Sequence, residues 1–330
     1  MTSIRRRTLL NGFLLVASIG VGVSVPVIAK AIGDPALIPL ATRIVIAAIA
    51  AASLNLLVGF GGLVSLGHAA FFGLGGYTVA ISYSNAISGE RFWGFLPGTQ
   101  QLLVTAPLAM LIGGSAAAVI GAMAMRTRGV QFIMITLAFA QMIFFIVLSL
   151  KAYGGEDGLS IRQRNNLGSF SLSDDTIMYF VSLSIMIACF AAMGRLKNSH
   201  FGRVLDGIRQ NERRMIALGV ETFSYKVAAF TIAGMGAGLS GALFANLMRF
   251  VSPDMLHWTK SGELLIMVIL GGVGNLFGPL AGAIVFIGLE TLFSSLTEYW
   301  QPLVGAVILF IVLMPGNGLV GLVGGRGRGA

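Results

Sequence analysis

The sequence predicts an all-α, polytopic membrane protein of roughly ten transmembrane or half-spanning helices, and three observations carry that prediction. Apolar residues make up 56% of the 330-residue chain and charged ones only 11%, with a mean hydropathy of +0.87. That is too little polar residue to coat a water-soluble globule of this size. The apolar residues fall in runs close to the 20 or so residues that a helix needs to cross the hydrocarbon core. Glycine clusters within these runs, as GFGGLVSLGHAAFFGLGGY over 59–77, GMGAGLSGA over 234–242 and GGVGNLFGPLAGA over 271–283. Small residues let helices approach closely in lipid, where packing rather than hydrophobicity drives association.

In chain order, the runs predict spans at Leu9–Ala29, Ala36–Gly59, Leu63–Ser82, Gln101–Met125, Val130–Leu150, Thr176–Met193, Val227–Leu247, Glu263–Leu270, Leu276–Leu296 and Tyr299–Met314. Arg5, Arg6 and Arg7 ahead of the first run resemble a twin-arginine signal, but the run is longer than a usual signal core and more membrane sequence follows. The eighth run is too short to span and leads into the glycines and Pro279 of 271–282, so it reads as a half-span or broken helix buried among its neighbours. The first and third glycine clusters share an apolar run, a Gly-Gly pair and a further glycine, the pattern of a parallel internal repeat.

The net charge of +9 reports topology rather than nucleic-acid binding, because the basic residues sit in short clusters at run ends without interleaved aromatics. With the N-terminus in the cytoplasm, 14 of the 22 basic residues fall on the cytoplasmic side: Arg5 to Arg7, Arg126, Arg128, seven between Arg195 and Lys226, Arg326 and Arg328. Of the acids, only Asp206, Glu212 and Glu221 fall there. This is the expected inside bias, with both termini cytoplasmic. The lone Cys189 lies in an apolar run, which excludes an intramolecular disulfide framework and a zinc cluster of cysteines.

The longest strongly charged segment, RLKNSHFGRVLDGIRQNERRMIALGVETFSYK over 195–226, must lie in water between two apolar runs. A helical wheel from Gly202 gathers Val204, Leu205, Ile208, Met215 and Ile216 on one side, with Arg203, Asp206, Arg209, Asn211, Glu212 and Arg213 around the rest. It reads as a short amphipathic helix offered to a partner, or as a solvated connector.

GAGLSG at 236–241 matches a dinucleotide fingerprint only in letters, since it lies within one apolar run and no strand precedes it. No GxxxxGK[ST] loop occurs, so ATP could be hydrolysed only by another chain. Asn55, Ser65 and His68 gather polar groups around the first glycine-rich break. With Phe71 and Phe72 they are candidates for the translocation path. His68 reads, rather more readily, as a histidine hydrogen-bonded to a freed carbonyl to hold the break. Glu263 and Glu290 are the acids nearest mid-membrane, and both fall towards outer ends, which places an ion-coupled secondary transporter second. No catalytic arrangement or metal-ligand spacing stands out, so no enzyme activity, metal or bound cofactor is expected.

The segments LNLLVGFGGLVSLGHAAFFGLGGYTVA (54–80), ITLAFAQ (135–141), GGEDGLS (154–160), FGRVLDGIRQNERRMIALGV (201–220) and LIMVILGGVGNLFGPLAGA (265–283) together resemble the LivM-type permease subunit of ABC importers for branched-chain amino acids, over nearly the whole chain. The resemblance implies one permease domain, 1–330, in the bacterial inner membrane. It implies a homologous second permease, two ATP-binding subunits that hydrolyse ATP and a periplasmic solute-binding protein as partners. It makes 195–226 the cytoplasmic coupling loop and 151–175 a periplasmic loop. Arg203, Arg209, Asn211, Glu212, Ala217 and Gly219 are then the coupling candidates, although Arg213, Arg214 and Met215 stand where small or acidic residues are commoner. Glu156 and Asp157 become candidates for docking the binding protein. The substrate expected is a branched-chain amino acid, with urea, short amides and aromatic or other carboxylic acids as family alternatives.

Overall fold

The computed structural model describes residues 20, 22–89, 91–92, 96–168 and 170–313. Most of the Leu9–Ala29 run, Arg5 to Arg7, Arg326 and Arg328 lie outside them.

The described chain is nearly all helix. It runs α1 (Gly22–Ile32), α2 (Leu37–Asn55), α3 (His68–Ser88), α4 (Leu102–Ala124), α5 (Val130–Ser149), α6 (Asp175–Asn198), α7 (His200–Ala217), α8 (Thr222–Met248), α9 (Trp258–Gly271), α10 (Gly278–Ser294) and α11 (Trp300–Leu313). Among the described residues, five stretches are long and apolar enough to cross a membrane: Leu37–Phe60, Leu102–Ala124, Val130–Ser149, Asp175–Asn198 and Thr222–Met248. Gly22–Ile32, Gly278–Ser294 and Trp300–Phe310 are apolar but shorter. At 14 residues α9 reaches only about 21 Å, short of the ~30 Å core.

The expected third span starts later than its hydropathy suggests. After a π-helical turn at Leu56–Phe60 the chain is non-helical from Gly62 to Gly67, and α3 begins only at His68 and continues to Ser88. The irregular backbone is covered by protein, with Ser65 and Gly67 buried and the Gly67 N–H donated to Ser65 Oγ at 3.1 Å. Non-helical backbone is tolerated at membrane depth only where its polar groups are so satisfied. The amide of Ala69, in the first turn of α3, donates to Ser261 Oγ of α9 at 2.8 Å.

The GAGLSG stretch lies inside α8 and forms its packing face. A Cβ on Gly238 would stand 2.5 Å from the Ala109 carbonyl oxygen of α4, and one on Gly241 would stand 1.8 Å from the Phe72 carbonyl oxygen of α3. The glycines bring the α8 backbone against both neighbours, which is how apolar helices gain packing energy in lipid. At the far end of α8, Leu159–Ser160 pairs antiparallel with Phe250–Val251.

Candidate functional site

The 195–226 segment is helical for most of its length, but its ends belong to the flanking helices. Arg195 and Lys197 lie in the last turn of α6, and Lys226 lies in α8. Ser199 caps α7, its Oγ accepting from the Gly202 amide at 3.4 Å. Val204, Leu205 and Ile208 are buried as the wheel predicts. The stripe does not continue to Ile216, however. Asn211 is extended (φ −159, ψ 97), and its side chain accepts the Arg214 amide at 3.0 Å, so it caps a second short helix set at a new angle. Beyond that kink Ile216 and Leu218 are exposed beside exposed Arg213 and Arg214. Ala217 is also exposed, and Gly219 at φ +81 ends the helix with bonds from its own amide to Ile216 and from Val220 to Met215.

Glu212 follows the kink and is tied to α8 and to the loop before α5. It accepts from Lys226 Nζ at 2.6 Å and Thr222 Oγ1 at 3.2 Å, both on α8, and faces Arg128 before α5 at 3.6 Å. Partial burial pushes its carboxyl up, but the hydrogen bond and charge of Lys226, with Arg128 and Thr222, outweigh that and hold it below the usual carboxylate range. Arg203 donates to the Asn198 carbonyl at 3.0 Å, so it braces the α6–α7 turn.

The first half of α7 reaches the two glycine-rich breaks. Arg209 donates to the Gly59 carbonyl in the π-helical turn. Gly59 lies directly against the second break, where a Cβ on it would stand 2.6 Å from the Gly274 nitrogen. Asn55 laces the two together, donating to the Asn275 carbonyl at 2.7 Å and accepting the Gly274 amide at 3.0 Å. Lys197 of α6 donates to the Gly274 carbonyl at 3.2 Å and lies 4.8 Å over the Phe60 ring. One junction therefore joins α6, α7 and the breaks after α2 and α9. Lys197 and the second-break residues Gly274 and Asn275 had no sequence signal beyond glycine pairs in both breaks.

The remaining path candidates are spread out. His68 is fully buried with Nε2 3.2 Å from Ser53 Oγ, and its ring meets Phe71 edge-on. Phe71 is buried against Phe230 of α8, and Ser65 is buried in the extended segment. Phe72 instead lines a cleft among α2, α3, α8, α9 and α10. That cleft also holds Arg43, which pairs with Glu290 at 2.7 Å, and the Lys260–Glu263 pair at 2.8 Å. Arg43, inside α2, carries no local sequence mark of a site, since its partner Glu290 lies 247 residues away.

Glu156 and Asp157 are exposed in a turn whose Gly154, Gly155 and Gly158 all have positive φ. The turn sits beside the Phe250–Val251 strand, so the ~40 Å length of α8 separates it from α7. Behind it Arg164, buried, donates to the Asn246, Leu247 and Leu172 carbonyls and pairs with Asp175 at 2.5 Å. It satisfies carbonyls that the end of α8 leaves free, a role its position in a loop did not reveal.

Residues 36–313 match the family described as "Branched-chain amino acid transport system / permease component". The chain belongs to that family. Among its relatives are the proteins named "High-affinity branched-chain amino acid transport system permease protein LivM" of Salmonella typhimurium (strain LT2) and Escherichia coli (strain K12). Each is 27% identical over 307 residues, which covers 86% of this chain and 69% of the relative. A more distant relative is the "Autoinducer 2 import system permease protein LsrC" of Yersinia pseudotuberculosis (strain YPIII), 26% identical over 39% of each chain. No solved structure matches the chain. The protein is thus a transport permease with membrane-spanning apolar helices.

Proposed function

We propose that the chain is the membrane-embedded subunit of an ATP-driven importer for branched-chain amino acids, energised through α7 by a separate ATP-binding subunit. The observation that carries this reading is the junction at Arg209. A helix outside the membrane-length stretches is tied to the first glycine-rich break, which Asn55 laces to the second, and, through Glu212, to α8 and the loop before α5. A surface that grips and moves such a helix moves the breaks with it. The exposed Ile216 and Leu218, flanked by Arg213 and Arg214, form the gripping face for the ATP-binding subunit.

This reading puts α7 and both termini in the cytoplasm and the Glu156–Asp157 turn in the periplasm, where a loaded binding protein arrives. A homologous second permease completes the path. Charge reversal of Glu156 and Asp157 then weakens the apparent affinity for the binding protein, and an unchanged affinity removes that role. Branched-chain amino acids are preferred as cargo because the LivM relatives match over most of both chains, whereas the LsrC relatives match over 39%.

The test is reconstitution of the chain with its second permease, ATP-binding subunits and binding protein in liposomes. Uptake of leucine, isoleucine or valine that requires ATP inside is expected. Uptake driven by an ion gradient without ATP would overturn the ATP-driven reading, and ATP-driven uptake of urea, an amide or an aromatic acid alone would overturn the cargo.

A further inference from the structure

We propose that the cleft holding Arg43, Lys260 and Glu263 is a binding site for an amino-acid zwitterion within the permease, a proposal that rests on the reading of the chain as an amino-acid carrier. The cleft lies among five helices, and Arg43 stands sixteen residues before Gly59 along the continuous α2 and π-turn, about 24 Å from the α7 junction. Ala50, nine residues before Gly59, and Met267 line its deeper part, so it runs from the face opposite α7 towards the middle of the protein.

Its chemistry has two parts. Ile46, Phe72, Phe244, Leu264, Met267 and Ile287 supply an apolar wall suited to a branched aliphatic side chain. Arg43 and Lys260 supply two positive charges, and Glu290 and Glu263 supply two negative ones. The total is zero, which favours a ligand of no net charge carrying both signs. The Lys260–Glu263 pair is made within one turn of α9, so it fastens no helix to another. Arg43 lies inside the membrane-length stretch Leu37–Phe60, and ionisable residues at such positions face the bundle interior and mark substrate or ion pathways.

The cleft has a volume of about 60 Å³, smaller than the ~150 Å³ that admits benzene. A whole amino acid therefore enters only as an ion pair parts. The ligand carboxylate takes Lys260 and the ligand ammonium takes Glu263, the pair that lines the cleft and is made within one helix. Every charge stays paired during this exchange. A fatty acid or an amine of the same shape would leave one protein charge without a partner, which costs heavily in a low-dielectric site.

The experiment measures equilibrium binding of radiolabelled L-leucine to the complex of permeases and ATP-binding subunits in nanodiscs, without the binding protein. The unlabelled competitors are 4-methylpentanoate and isoamylamine. Wild type should bind leucine at least tenfold more tightly than either competitor. Glu263→Gln should lose leucine affinity at least tenfold and shift the competitor order towards the acid, while Lys260→Gln should shift it towards the amine. Both residues are partly exposed on one helix, so either variant should fold. A merely structural role would weaken all three ligands equally. Such a uniform loss, leucine affinity within twofold of wild type in both variants, or a wild-type complex that binds no leucine would overturn the proposal. Failure of the functional reading shows separately, as absence of leucine uptake by the wild-type liposomes.

Discussion

Replacing Glu212 by alanine should loosen the second half of α7 and waste ATP. The side chain of Lys226 is only 6% exposed and that of Glu212 22% exposed, so the 2.6 Å bond between them is largely shielded. A hydrogen bond to a charged group is worth about 1.5–3 kcal/mol. The Arg128 contact at 3.6 Å, on a side chain 63% exposed, adds about 0–1 kcal/mol. Together the substitution should cost about 2–3 kcal/mol of docking, which raises the undocked population about 30- to 150-fold. Hydrogen exchange of the complex in nanodiscs reads this directly as lost protection over 211–219. Liposome assays should show fewer solutes carried per ATP, with the complex still assembled. In the double variant E212A/K226M the buried ammonium is gone, so part of the lost protection should return. Exchange at 211–219 and transport per ATP both at wild-type levels in E212A would show that Glu212 does not dock this half of α7.

The Glu212 contact also predicts a pH dependence. Its folded pKa is depressed, so its contribution is fully present above the ordinary glutamate value of 4.5 and is lost as pH falls through the lower folded value. Protection of 211–219 should therefore be flat from about pH 8 to about pH 5 and decline only in stronger acid. Gly241→Ala places a methyl 1.8 Å from the Phe72 carbonyl oxygen, which cannot move without shifting α3, so a loss of about 3 kcal/mol or more and poor assembly on a sizing column are expected. Arg164→Ala removes three carbonyl contacts and the Asp175 pair, and should lower the melting temperature of the purified permease by several degrees while leaving ATP hydrolysis by the partner subunits intact.

The helices were legible in the sequence where they depend on local pattern. Run length placed α4 and α5 to within a residue at each end, though it started α8 five residues late, and the 3.6-residue period found the buried Val204, Leu205 and Ile208. What the sequence hid are features set by distant partners. The period carries no mark of the kink at Asn211, because a cap uses one side chain and one amide three residues on. Asn55 reads as one polar residue near a break, yet its partners lie some 220 residues away, and Arg43 meets Glu290 across 247. Glycine clusters gave notice that backbones would meet, but composition cannot say that Gly59 meets Gly274 or that Arg209 bridges to them. Hydropathy likewise misplaced the start of α3, since the segment 62–67 is apolar without being helical.

If Arg209 carries motion from α7 to the breaks, a covalent strut in its place should carry it too. A Cβ on Gly62 would lie 3.5 Å from Arg209 Cβ, within the span of a disulfide. In a background with Cys189→Ser, the variant G62C/R209C loses the guanidinium but gains a bond that can be made and broken, and G62C with Arg209 retained controls for the strain of a side chain at φ +68. Transport per ATP in liposomes should be low when this variant is reduced and should return towards wild type when it is oxidised. Full coupling in the reduced form, or no recovery on complete oxidation, would contradict the account.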